Sequence, residues 1–344
     1  MARTDSLLVD VTRKLLRDVA DPQTRRLAGA ADRRATAWRA LETQGLTRAW
    51  LPEAAGGAGA ELVEGFEIVT LAGQFALDAP LAETLLAGWL LAAAGLEVPA
   101  GALAPASGSV ELGATGRLSG RLARVAFARE VDHLVVAGDR FVARIDRAAC
   151  RIEPRDNLAG EPRDTVILDG VPPAARAELP GAGDRLLAMG AVARACQIAG
   201  ALQAVLARSV AHAEQRVAFD RPIGKFQAIQ QALARLAGET AIALAASSSA
   251  ADALGTPGDD PDGVFLEVAS AKIRAGEAAA AGAAIAHQVH GAIGFSTEHP
   301  LHLFTRRLWA WRDDFGSEAA WAVRLGSRVA ARGADALWPL LASR

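Results

Sequence analysis

Up to about Ala100 apolar residues recur at helical spacing among Ala, Leu and Arg, with one interruption at Pro52-Glu-Ala-Ala-Gly-Gly-Ala-Gly59. The glycines there supply a turn that a helix cannot contain. From about Leu103 to Pro180 the period shortens. Ser109-Val-Glu-Leu, Arg124-Val-Ala-Phe, Asp132-His-Leu-Val-Val, Arg140-Phe-Val-Ala-Arg-Ile and Thr165-Val-Ile-Leu-Asp are short, rich in β-branched residues and bounded by turn residues, which predicts strands. After Pro180 the helical pattern returns and lasts nearly to the end. Ala275 to Ala286 are almost all Ala and Gly, so helices there can approach closely. Gly255-Thr-Pro-Gly-Asp-Asp-Pro-Asp-Gly263 predicts a loop between two of these helices. The pattern as a whole predicts a mainly α chain with a small β domain: helical over 1–102, β over 103–182, helical over 183–344.

Composition narrows the function. Half of the 344 residues are apolar, enough for a substantial core. A net charge of -2 provides no global positive field for a nucleic-acid backbone or an anionic membrane. The most apolar stretch, Thr84 to Gly95, is about a dozen residues against the ~20 needed to cross a bilayer, which predicts a buried helix. The first ten residues alternate charge with short apolar runs and offer no secretory h-region, so a cytoplasmic protein is expected. Cys150 and Cys196 have no C-x-x-C spacing and read as buried free thiols.

Two segments carry the chemistry. Arg216-Val-Ala-Phe-Asp-Arg-Pro-Ile-Gly-Lys-Phe-Gln227 and Gln288-Val-His-Gly-Ala-Ile-Gly-Phe-Ser-Thr-Glu-His-Pro-Leu-His302 pair a cation and amides with glycine turns, the equipment that holds a pyrophosphate. They resemble the R-x-x-F-G-x-P-I-x-x-F-Q and Q-x-x-G-G-x-G-F-x-x-E patterns of the acyl-CoA dehydrogenases, and Trp50 to Gly59 is similar to that family's V-P-E-x-x-G-G-x-G loop. The resemblance implies an N-terminal helical domain, a middle β-barrel-like domain and a C-terminal four-helix bundle. It further implies FAD held across a subunit boundary, where Arg216, Phe219 and Gln227 of one chain meet Gln288, Gly291 and Gly294 of a neighbour, with Ser317 also at the cofactor. An acyl-CoA substrate, an electron-transferring flavoprotein as acceptor, and a homodimer or homotetramer are implied as well. Asp220 and Ala292 stand where the family has glycine. Asp220 must therefore turn towards Arg221 or adopt the positive φ that Gly would have provided.

Desaturation of an acyl-CoA needs a base for the α-proton and a hydride acceptor for the β-carbon. Phe315, within Asp314-Phe315-Gly316-Ser317, occupies the position at which the resemblance puts the glutamate base. The family's second location reads Ala253 and Leu254, with Asp252 beside them. Three explanations stay open: Asp252, Asp314 or a neighbour such as Glu318 serves as base; the chain is the partner subunit of a heteromeric dehydrogenase of lipid or steroid breakdown; or dehydrogenation is lost. Asp313 and Asp314 also lie close enough to Arg306, Arg307 and Arg312 for local ion pairs.

Other features read more plainly. His287, His290, His299 and His302 form two pairs three apart, yet lack a third ligand and a base for catalytic zinc, and no metal is expected. Glu298-His299-Pro-Leu-His302 is similar to the E-H-x-L-H variant of lipid- and steroid-degrading members. Trp309, Trp311 and Trp321 read as core or subunit-interface residues. Arg324, Arg328 and Arg332 recur every four residues and read as a solvated helix face, leaving nucleic acid an unsupported partner.

Overall fold

The computed structural model describes residues 6–20, 30–256, 258 and 260–342, and divides the chain into two compact units. The first comprises Met1–Gly65 and Asp78–Gly190, the second Phe66–Leu77 and Ala191–Arg344.

In the first unit α1 (Leu7–Val19), α2 (Ala30–Thr43), the start of α3 (Leu62–Gln74) and α4 (Leu81–Ala93) accompany eight strands. The apolar run predicted to be a buried helix is α4, with ten buried residues. Thr84 stitches it to the sheet, its hydroxyl donating to the Leu103 carbonyl at 3.3 Å and accepting from the Leu103 N–H at 3.1 Å. Arg48 closes the Gly-rich loop 52–59 by donating to the carbonyls of Ala55 (2.6 Å) and Gly56 (3.1 Å).

The strands are β1 (Leu103–Ser107), β2 (Val110–Leu112), β3 (Leu118–Ala126), β4 (His133–Ala137), β5 (Phe141–Asp146), β6 (Arg151–Glu153), β7 (Arg163–Val171) and β8 (Ala175–Glu178). They form two four-stranded sheets, ordered β1-β4-β5-β8 and β2-β3-β7-β6, in which only β1 and β4 pair in parallel. Leu134, Val136 and Ile145 of one sheet share a core with Leu118, Leu122, Val166 and Leu168 of the other. The arrangement is a sandwich of two sheets, the form that the expected barrel-like domain takes, and no closed barrel forms among the described residues. Cys150 is partly exposed at the edge of this core rather than buried, whereas Cys196 is buried as expected.

The second unit is a helical bundle: α5 (Ala182–Gln215, in this unit from Ala191), α6 (Gln227–Gly255), α7 (Pro261–His290), α8 (Leu301–Trp311), α9 (Glu318–Arg332) and the short α10 (Leu337–Ala342). α5 is long and apolar enough to cross a membrane, but 89% of its apolar window is buried in the protein, as befits a core helix. The loop expected over 255–263 separates α6 from α7, and Asp260 caps α7 by accepting from the Gly263 N–H at 2.9 Å. Its Pro257 and Asp259 lie outside the described residues.

Small residues set the spacing of the bundle. A Cβ at Gly200 of α5 would stand 1.9 Å from the Thr70 carbonyl oxygen of α3, and one at Gly73 of α3 only 2.0 Å from that of Gln197. The two backbones are in contact, and only glycine fits on either side. Gly200→Ala is therefore expected to destabilise the protein by about 2–3 kcal/mol or more in urea denaturation. Gly238→Ala, on α6 with open space around its Cβ, should instead gain about 0.5–1 kcal/mol.

Candidate functional site

Antiparallel α6 and α7, with α5 preceding them, bring the end of α5, the start of α6 and the end of α7 to one end of the bundle. The two segments singled out in the sequence thus converge within one chain, where the resemblance had them meet from neighbouring chains. Arg216 and Val217 lead into a two-stranded hairpin, Val217–Ala218 against Arg221–Pro222. Its two tip residues, Phe219 and Asp220, have φ of 52° and 62°. Positive φ at both central positions is a type I′ turn, whose twist matches the strands it joins. Asp220 thus adopts the backbone that glycine would supply, while Arg221 turns its guanidinium over the Phe226 ring at 4.1 Å.

Phe219 is 89% exposed and meets Phe226 edge-on at 6.2 Å. Arg216, Gln227 and Gln288 are exposed too, and Arg216 forms no ion pair among the described residues. Gly291 ends α7 at φ 64°, opening an exposed turn over Gly291 and Ala292. Gly294 is buried and has no room for a side chain, since a Cβ would lie 2.9 Å from that of His290. Phe226, at the N-cap of α6, offers no side-chain acceptor to the first amides of that helix.

Behind this exposed layer lies a histidine cluster. The rings of His212 and His290 stack at 4.5 Å, and His299 lies 4.7 Å from His290 and 6.3 Å from His212. His287 stacks on Phe295 at 4.2 Å and on Trp309 at 5.8 Å, and its Nε2 is 3.0 Å from the Thr305 hydroxyl. Burial pushes His290 down to about 4, and lowers His212 and His287 as well. Among the described residues no three His, Cys, Asp or Glu side chains are placed to share a metal ion.

The segment at the expected base position has a different character. Asp314 is buried and paired with the equally buried Arg194, Nε to Oδ2 3.1 Å, and Arg194 also donates to the Gln197 side chain. Lys272, with no exposed surface, donates to the Arg312 carbonyl, and Arg312 pairs with Glu318. Burial lowers Lys272 to about 8, opposed by Asp314, Glu318 and Asp313. Phe315 (φ 54°) and Gly316 (φ 92°) turn the chain, and the Trp321 indole N–H donates to the Phe315 carbonyl at 2.9 Å. The Arg194 guanidinium stands 5.8 Å from the centre of the Phe315 ring. Ser317 caps α9 by accepting from the Ala320 N–H at 3.2 Å.

Asp252, by contrast, is exposed in the last turn of α6, at the end of the bundle opposite Gln227 and Gly291. Trp311 and Trp321 are buried and Trp309 half-buried. Arg328 and Arg332 both pair with Asp262, and Arg324 lies over Trp321, so the stripe on α9 is engaged with its own bundle. Sequence reasoning missed Arg194, Lys272 and His212. For the first two the signal was a lone cation within an apolar helical stretch.

A small β sandwich joined to a long-helix bundle is the architecture of the acyl-CoA dehydrogenase class, and solved structures agree. Over 96% of this chain and 99% of the matched chain, it superposes on the ChsE4-ChsE5 complex from Mycobacterium tuberculosis with a TM-score of 0.86 at 23% identity. The steroid ACAD Tcur3481-Tcur3483 (G363A variant) matches with a TM-score of 0.81 at 24% identity, over 94% of this chain and 97% of its own.

Residues 182–312 match the family described as acyl-CoA dehydrogenase, C-terminal domain. The acyl-CoA dehydrogenase IpdE2 of Mycobacterium tuberculosis is 31% identical over 311 residues, covering 88% of this chain and 89% of the relative. This chain belongs to the acyl-CoA dehydrogenase family, a family of flavoprotein oxidoreductases.

Removing one partner of the buried pair leaves a charge without compensation. Asp314→Asn is expected to cost about 3–5 kcal/mol in denaturant unfolding. Asp252→Asn, at an exposed site, should stay within about 0.5 kcal/mol of the parent.

Proposed function

We propose that this chain is the FAD-binding partner subunit of a heteromeric acyl-CoA dehydrogenase, in which a homologous subunit contributes the glutamate that removes the α-proton. The observation that carries this reading is the segment 312–318. Its base position holds the phenyl ring of Phe315, Asp314 and Glu318 are engaged by Arg194 and Arg312, and Asp313 is exposed to solvent. A carboxylate held in a buried ion pair is a poor general base, because taking a proton would strand its cation. Asp252 and Glu318 gain no support as the base either, one being exposed at the far end of α6 and the other paired.

The residues at the other end of the bundle fit the cofactor. Arg216 provides an uncommitted cation, Gln227 and Gln288 exposed amides, Phe219 an exposed aromatic face, and α6 an N-terminus without a side-chain cap. That donor set suits the pyrophosphate and adenine of a dinucleotide. Gly291 and Gly294 would shape the adjoining turn. Ser317, already a helix cap, can reach a ligand only with its hydroxyl proton. When bound, FAD supplies the hydride acceptor for the β-carbon of a CoA thioester. The chain's own part is to hold the dinucleotide and to present an apolar wall at Phe315.

The acyl group is placed among lipid or steroid side chains and the electron acceptor is an electron-transferring flavoprotein. The two-component make-up of the fold neighbours favours a heterotetramer with a homologous subunit over a homodimer or homotetramer.

Expressed alone and supplied with FAD, the chain should turn yellow, and a panel of straight-chain, branched and steroid-derived acyl-CoAs should leave its flavin band unbleached under anaerobic conditions. Bleaching by the lone chain would overturn the partner-subunit reading. Arg216→Ala should weaken FAD retention by about tenfold or more, as loss of a charge-assisted contact implies. The melting temperature of the apoprotein should stay unchanged, and equal loss of both would make Arg216 merely structural.

A further inference from the structure

Five of the six histidines gather at the end of the bundle that carries the two converging segments. His212 lies in the last turn of α5, and its carbonyl accepts the Arg216 N–H at 2.9 Å, so the placing of His212 sets where the hairpin begins. His290 is the last residue of α7, immediately before Gly291, and its Cβ is what excludes a side chain at Gly294. Its ring is oriented by Nδ1–H donating to the Ala286 carbonyl at 2.8 Å, which leaves Nε2 as a bare, buried nitrogen without a hydrogen-bond partner among the described residues. His299 enters from the loop before α8, its Nδ1 accepting the Leu301 N–H at 3.2 Å.

We propose that the stack of His212, His290 and His299 is an uncharged joint that fixes the hairpin segment against the glycine turn, so that a proton on the stack loosens the dinucleotide site before the bundle unfolds. The inference rests on the flavin reading and adds to it how the two halves of the site are held together.

The charged and titratable side chains that bear on His212 and His290 oppose protonation. Arg216 on the hairpin side faces His212, and His212, His299 and His287 face His290. His302, on α8, faces His287. No carboxylate pairs with His212 or His290 among the described residues. Stacked neutral rings attract through their faces, whereas two imidazolium rings at these spacings repel, most strongly at His290, the buried member of the three.

The direction of the pH effect follows from linkage. The closed stack refuses a proton until about pH 4 at His290, while an opened one accepts it near the ordinary histidine value of 6.5. The open state therefore binds more protons across that window. The joint is at full strength above about pH 6.5 and weakens as pH falls towards about 4.

The test is a titration of the FAD-loaded protein from pH 8 to 4, following released FAD by its fluorescence and helix content by far-UV circular dichroism in the same samples. FAD release between about pH 6.5 and 4 with helix content intact is the expected result. Simultaneous loss of both signals overturns the joint. The double variant His212→Gln/His299→Gln should shift the release midpoint to lower pH, and an unshifted midpoint also counts against it. His290→Lys, which puts a cation in the stack at pH 8, should weaken FAD retention by about tenfold or more.

Should the protein take up no FAD at pH 8, the flavin reading fails, and the joint is still decided by hydrogen exchange on the apoprotein. Residues 212–222 and 287–296 should then lose protection between pH 6.5 and 4, after correction for intrinsic rates, while α6 keeps its own. Uniform loss would overturn the joint there too.

Discussion

In the helical bundle α3 and α5 meet at backbone contact, and this closeness governs what else the bundle can contain. Gly73 and Gly200 face the carbonyls of Gln197 and Thr70 with no space for a methyl group, and Gly282 makes the same allowance for Leu202 and Leu236. Helices packed this tightly exclude water from between them. Any polar group carried into the interior must then find its partner within the protein or bear a large desolvation cost.

That requirement explains the buried charges of segment 312–318. Arg194 and Lys272 enter the interior on α5 and α7, and Asp314, the Gln197 side chain and the Arg312 carbonyl receive them. The pairing holds the chain through two successive residues of positive φ, a conformation that would be costly for Phe315 without such fixation. A carboxylate used as a structural counter-ion is withdrawn from proton transfer. At the opposite extreme, the end of the bundle carrying Arg216, Gln227 and Gln288 keeps its cation and amides exposed, as a surface that receives a ligand should. Asp314 and Glu318 are thus paired within the bundle, whereas Arg216 forms no ion pair among the described residues.

Much of this organisation was legible in the residue pattern. The long helices, the change to strands near Leu103, the buried helix around Thr84 to Gly95 and the loop after Gly255 follow from periodicity and punctuation. β1, β6 and β8 were not legible: Leu103-Ala-Pro-Ala-Ser, Arg151-Ile-Glu and Ala175-Arg-Ala-Glu are short and almost without β-branched residues, and they exist because a neighbouring strand offers its edge. That the strands form two sheets was not legible, since strand order depends on pairings distant in sequence. In the site, the two motif segments were visible as strings of residues. The third partner of the histidine stack was not, because His212 lies 78 residues before His290 and meets it only through the return of α7.

The sequence by itself determined the family and the kinds of element in order, because these depend on local periodicity and on motifs a dozen residues long. It also placed a phenyl ring where a base is expected. Only the tertiary structure decided which charges are spent and which remain available. Whether Asp314 is free or a counter-ion, and whether His290 and His299 meet a third ring, turns on what other helices carry to within a few ångströms. Those distances are set by packing, which one-dimensional spacing does not encode.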